Sequence, residues 1–225
     1  MSGVALREAI RDRGLTLALL ALFALTLVAQ VLAGWLDYNA GALDHGDPQI
    51  GVAAYLTTGH FLEALFENWE SEFLQMAAFV MLTTVLYHRG SAESRRPHVV
   101  EPFDADPRRF ADQPDAPWPV KRGGVVLWLY ERSLGLAFVV LFVLSLAGHA
   151  LGGWREYADD QVAHGHEAPA LADYLASPRF WFESTQNWQS EFLSIAAMVW
   201  LTVYLRQRGS PESKPVHASH DETGR

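Results

Sequence analysis

ENWESEFLQ, residues 67–75, opens one long apolar run, and QNWQSEFLS, residues 186–194, opens another. The same Asn-Trp-x-Ser-Glu-Phe-Leu at the head of two hydrophobic segments poses an architectural question before a chemical one. Apolar residues gather in four blocks, 15–35, 61–87, 127–154 and 180–205, with charge concentrated between them. Each block reaches the ~20 residues that span a bilayer core. The expectation is an all-α, polytopic membrane protein with four transmembrane helices.

Sliding the chain against itself by 119 positions aligns Gly34-Trp35 with Gly153-Trp154, Tyr38 with Tyr157, His45-Gly46 with His164-Gly165 and Tyr55-Leu56 with Tyr174-Leu175. The same ungapped shift aligns the two motifs and matches Arg89-Gly-Ser-x-Glu-Ser94 with Arg208-Gly-Ser-x-Glu-Ser213. One offset across both halves points to internal duplication. Each unit reads as helix, loop, helix, so two crossings return the chain to its starting side and the hairpins are related in parallel. The expected segments are a first membrane repeat at 1–88, a Pro-rich charged cytoplasmic linker at 89–124, a second repeat at 125–207 and a polar tail at 208–225. Six prolines, from Pro97 to Pro119, disfavour regular structure in the linker.

Arg7, Arg11 and Arg13 precede the first block, seven Lys or Arg lie between the second and third, and the tail carries Arg206, Arg208, Lys214 and Arg225. The other two interblock loops hold only Arg155 and Arg179 amid many acids. This asymmetry places both termini in the cytoplasm. Trp35, Trp69, Trp154 and Trp188 then mark the outer interface, and Tyr87, Trp128 and Tyr204 the inner one. The first block is longer than the ~7–15 residues of a signal-peptide core and recurs in the second half, so it reads as a retained helix.

The chain has no cysteine, which removes disulfides, thiolate metal sites and cysteine nucleophiles. Its formal charge of −9, with no basic stripe and no phosphate loop, argues against a nucleic-acid partner. No Ser-His-Asp arrangement stands out and no cofactor is expected; enzyme chemistry is unassigned.

Helices two and four are expected to start near Thr58 and Ser177-Pro178, with the former running to His88 over ~45 Å. At ~100° per residue, Asn68, Ser71, Glu72 and Gln75 share one face, and Glu70 points nearly opposite to Glu72. The second unit repeats that face as Asn187, Ser190, Glu191 and Ser194. Its other side exchanges Glu63, Glu67 and Glu70 for Phe182, Gln186 and Gln189. Gln30 and its repeat equivalent His149 are expected at similar depth. This polar cluster either ties helices together across a pseudo-two-fold or lines an outward vestibule for a proton, cation or small polar substrate. His164 and His166 are secondary candidates for Zn²⁺, against the plainer reading of exposed loop histidines. Gly148-x-x-x-Gly152 reads as close helix packing.

Taken together, the paired Gly-Trp, Asn-Trp-x-Ser-Glu-Phe-Leu and Arg-Gly-Ser-x-Glu-Ser elements resemble an uncharacterised family of small bacterial integral-membrane proteins, classed only as a domain of unknown function. The resemblance implies a bacterial inner-membrane location and supplies no catalytic or cofactor residue. The function expected is that of a structural or accessory membrane protein, with a small transporter or channel component as the alternative. The partners expected are the lipid bilayer and further copies of itself, with no nucleic acid.

Overall fold

The computed structural model describes residues 12–224, and every regular element among them is helical. Arg7, Arg11 and Arg225, counted above toward the cytoplasmic side, lie outside the described residues. The long helices are α1 (Gly14–His45), α3 (Gly59–Leu82), α6 (Ser133–Ala163) and α8 (Pro178–Tyr204). Short helices α2 (Val52–Tyr55), α4 (Trp118–Arg122), α5 (Gly124–Glu131) and α7 (Leu171–Leu175) lie between them. Two of them, α1 and α6, are long and apolar enough to cross a membrane among the described residues. Four such helices were expected. Helix α3 carries Glu63, Glu67, Glu70 and Glu72, and α8 carries Arg179, Glu183 and Glu191, which lowers their apolar character.

The chain forms two compact units, one of residues 1–64 with 151–169 and the other of residues 65–150 with 170–225.

In the first unit, α1 runs ten residues past Trp35, through the acidic stretch read above as loop. Gly46 stops it at φ 78°, its N–H donating to Leu43 O (3.1 Å) while Asp47 N–H donates to Ala42 O (2.8 Å). This is a Schellman close, and glycine adopts the left-handed geometry without a Cβ clash. The same close recurs 119 residues on, with Gly165 at φ 77°, its N–H on Val162 O (3.0 Å) and His166 N–H on Gln161 O (2.9 Å). Trp35 Nε1 donates to Ile50 O at 2.7 Å, and Trp154 Nε1 to Pro169 O at 2.8 Å. Each indole thus ties the returning chain to its helix. Small residues bring helix backbones together here: a Cβ on Gly152 would lie 2.5 Å from Glu63 N.

In the second unit, Ser177 Oγ accepts from Phe180 N–H (3.4 Å) and Pro178 occupies the first turn of α8. Helix α3 ends at Leu82, not His88. The Thr83 and Thr84 hydroxyls donate back to Phe79 O (3.0 Å) and Met81 O (2.7 Å), and i→i−3 backbone bonds tighten the exit. The third apolar block is also divided, because Arg132 leaves helical geometry (φ −113°, ψ 3°) between α5 and α6. Its guanidinium lies over the Trp128 ring at 4.8 Å and donates to Trp128 O.

The linker is more structured than its composition suggests. Arg95 grips Asp104 at 2.8 and 3.0 Å, and Arg96 grips Glu101 at 2.5 and 2.7 Å. The hydrogen-bonding Arg96 guanidinium holds the Glu101 carboxyl below the usual carboxylate range. Pro102–Asp104 and Pro107–Phe110 form 3₁₀ turns. Proline pre-sets φ at the first position of such turns, so the residue that forbids long helices here builds short ones.

The tail folds back as well. Thr223 Oγ1 accepts from Gly90 N–H (2.8 Å), Gly224 N–H donates to Ser91 O (2.9 Å), and the buried Lys214 ammonium donates to the Ser219, His220 and Glu222 carbonyls at 3.0, 3.1 and 2.8 Å. Lys214→Ala is expected to loosen this segment, because it removes three charge-assisted bonds and leaves the weaker share to Arg206, Thr223 and Gly224. Limited trypsin digestion should then cut after Arg206 or Arg208 at least several-fold faster than in the parent. Equal rates would show that Lys214 does not hold the tail.

Candidate functional site

The polar centre of the second unit is built from α3, α6 and α8. On α3, Glu67 and Glu70 stand three residues apart and so share one face. Glu70 is fully buried and Glu72, on the face expected to carry the polar cluster, is exposed. Two side chains about 200° apart on one helix cannot both face inward. The partners decide between them: His149 of α6 and Trp188 of α8 both meet the Glu70 carboxylate.

His149 is also fully buried, and its Nδ1 lies 3.0 Å from Glu70 Oε2. The Trp188 indole donates to Glu70 Oε1 at 3.0 Å. With Glu70 a carboxylate, its two oxygens accept from two ring N–H groups, which assigns the imidazole proton to Nδ1. Across the ring, Nε2 faces Glu183 Oε2 at 3.7 Å, beyond hydrogen-bonding reach, and has no hydrogen-bond partner among the described residues. Glu183 is fixed from its other sides: Arg179 Nε donates to Oε1 (2.7 Å) and the buried Tyr174 hydroxyl to Oε2 (2.9 Å). Phe180 covers the imidazole with its ring centroid 5.2 Å away. A carboxylate–imidazole–carboxylate line therefore runs from a fully buried end at Glu70 to Glu183, whose side chain is 14% exposed.

Beside this line, α3 and α8 meet through repeat-equivalent positions. Gln75 Nε2 donates to Ser194 Oγ at 2.7 Å and to Glu191 O at 2.9 Å. Gln186 Nε2 donates to Glu67 Oε1 at 3.4 Å, and Asn187 Nδ2 to the same oxygen at 2.6 Å. Gln75 and Ser194 are 119 apart, as are Glu67 and Gln186. Like positions face each other, as they do across a local two-fold.

The expected residues divide accordingly. Gln75, Asn187, Ser194 and His149 make contacts between helices. Ser71 is buried, but its hydroxyl donates to Asn68 O on its own helix, and the exposed Ser190 does the same to Asn187 O. Asn68 and Glu72 are exposed and Glu191 is half-buried. Gln30 is half-buried on α1, in the first unit. His164 is exposed, with Nδ1 2.8 Å from Asp160 O, and His166 lies in the following exposed turn.

Glu70, Glu183, Glu67 and Trp188 were missed. A signal existed in the positions that differ under the 119-residue shift rather than in those that match. Under the 119-residue shift Gln30 aligns with His149 and Glu70 with Gln189, so each half supplies one member of the ionisable pair where the other half has glutamine. The ionisable pair sits where the two halves differ under the 119-residue shift.

A family model described as a domain of unknown function, DUF6766, matches residues 6–225. No curated protein matches the chain, and no solved structure matches it.

Proposed function

The chain belongs to the DUF6766 family, and on that premise we propose that it is a bacterial inner-membrane protein with a structural or accessory role. It crosses the bilayer four times as two duplicated hairpins, with both termini cytoplasmic and the 89–124 linker on the same side. Its polar helix seam holds the spans together. The observation that carries this reading is the Glu70–His149–Trp188 junction, in which Glu70 and His149 are fully buried and which three helices share, one of them long and apolar enough to span. A buried polar junction fixes which helix faces meet, a role that apolar contacts alone fill poorly when lipid is as apolar as the helices. Exposed Leu19, Leu22, Leu25 and Val28 on α1 suit contact with lipid or a second copy.

The alternative is a small transporter or channel component acting on a proton, cation or small polar substrate. It is favoured by the His149 ring nitrogen left facing a carboxylate at 3.7 Å.

The cysteine-free chain makes one experiment decisive. Single Asp47→Cys, Asp112→Cys and Ser71→Cys variants are treated in intact cells with a membrane-impermeant maleimide. Asp47→Cys is expected to label at once, Asp112→Cys only after permeabilisation, and Ser71→Cys not at all. Labelling of Asp112→Cys in sealed cells overturns the topology. Labelling of Ser71→Cys, in folded protein, replaces a closed seam with a hydrated vestibule and the accessory role with the transport reading.

A further inference from the structure

We propose that His149 and Glu183 form a binding site for a first-row divalent metal ion, with Glu70 as the positioning residue that orients the imidazole. Metal-bound histidines characteristically donate their other ring N–H to a carboxylate, which fixes the tautomer and raises the basicity of the ligating nitrogen. His149 has this arrangement: Nδ1 is 3.0 Å from Glu70 Oε2, and Nε2, fully buried, has no hydrogen-bond partner among the described residues and is aimed at Glu183 Oε2.

The spacing fits a metal better than a hydrogen bond. At 3.7 Å the nitrogen and oxygen are too far apart for direct bonding. Two bonds of ~2.1 Å bridge that gap at an angle of roughly 120–125°, within reach of a distorted tetrahedral site. Tyr174 occupies one lone-pair direction of Glu183 Oε2 and leaves another for a ligand bond. Water completes the coordination sphere.

Charge leads to the same place. With a neutral imidazole, Glu70 and Glu183 carry two negative charges against the single positive charge of Arg179, and the carboxylate of Glu67 stands on the same face of α3 as Glu70. A dication offsets this surplus in a site that water cannot fully screen. The donor set, imidazole nitrogen and carboxylate oxygen without thiolate, suits Zn²⁺, Mn²⁺ or Fe²⁺ in preference to Cu⁺. The partly exposed Glu183 end provides entry.

The test uses the full chain in detergent micelles, stripped with EDTA and titrated with ZnCl₂ alone by calorimetry, with metal content measured after desalting. One Zn²⁺ per chain is expected. His149→Gln and Glu183→Gln should each weaken binding at least ten-fold, and Glu70→Gln by about 10–100-fold, as outer-shell changes do. His164→Ala/His166→Ala should leave it unchanged. Glu183→Gln keeps the proposal testable should His149→Gln fail to fold, since Glu183 lies at the open end of the site. Absence of bound Zn²⁺, retention of full affinity in Glu183→Gln, or loss in the His164/His166 double variant would each overturn it. None of these outcomes bears on membrane topology, which the maleimide experiment decides separately.

Discussion

Glu70→Leu is expected to destabilise the folded chain by about 2–6 kcal/mol, at about 1–3 kcal/mol for each of two donors left without its acceptor. The substitution leaves two buried donors, His149 Nδ1–H and Trp188 Nε1–H, without their acceptor. Glu70→Gln keeps one carbonyl oxygen and is expected to cost less, about 1–2 kcal/mol. The informative comparison is the double variant Glu70→Leu/His149→Leu. Removing both polar partners together deletes the desolvation penalty along with the attraction, so the double variant should be more stable than Glu70→Leu alone by about 1–3 kcal/mol. Reversible unfolding in mixed micelles, followed by tryptophan fluorescence, measures all three. If Glu70→Leu unfolds with the parent protein, Glu70 is not at the centre of the seam.

The second large effect is steric. Gly152→Ala places a methyl group 2.5 Å from Glu63 N and 2.8 Å from Leu62 C, and backbone does not step aside as a flexible side chain does. The helix segments carrying these residues must separate, at a cost of about 1–3 kcal/mol for overpacking. Gly148→Ala is a graded control: its added Cβ would meet the Phe66 ring at 2.5–2.8 Å, and a ring can rotate away. The ranking expected in the same unfolding assay is Gly152→Ala worse than Gly148→Ala. Equal or negligible losses would mean that these glycines do not mark the closest helix approaches.

How much of this was legible beforehand differs by feature. Helical character followed from long apolar runs, whereas the helix closes at Gly46 and Gly165, where glycine takes positive φ, were not read from the sequence. Gln75 and Ser194, which align under the 119-residue shift, hydrogen-bond to each other. The helix ends were less legible: α1 continues through its acidic segment to His45, and α3 stops six residues before His88, because cap geometry and threonine back-bonding compete locally with hydropathy. The site was the least legible. Attention to what repeats selected the face of Glu72, while the buried centre uses Glu70 and Glu183, which do not repeat.

By itself the sequence determined the four apolar segments, the 119-residue offset and the polar character of the motif, since each depends on residue identity and spacing along one chain. Only the tertiary structure decided which side of α3 faces inward. Periodicity sorts residues into faces of a helix but leaves open which face is covered. That choice belongs to His149, 79 residues away, and Trp188, 118 residues away, whose ring N–H groups need a buried acceptor and find it in Glu70.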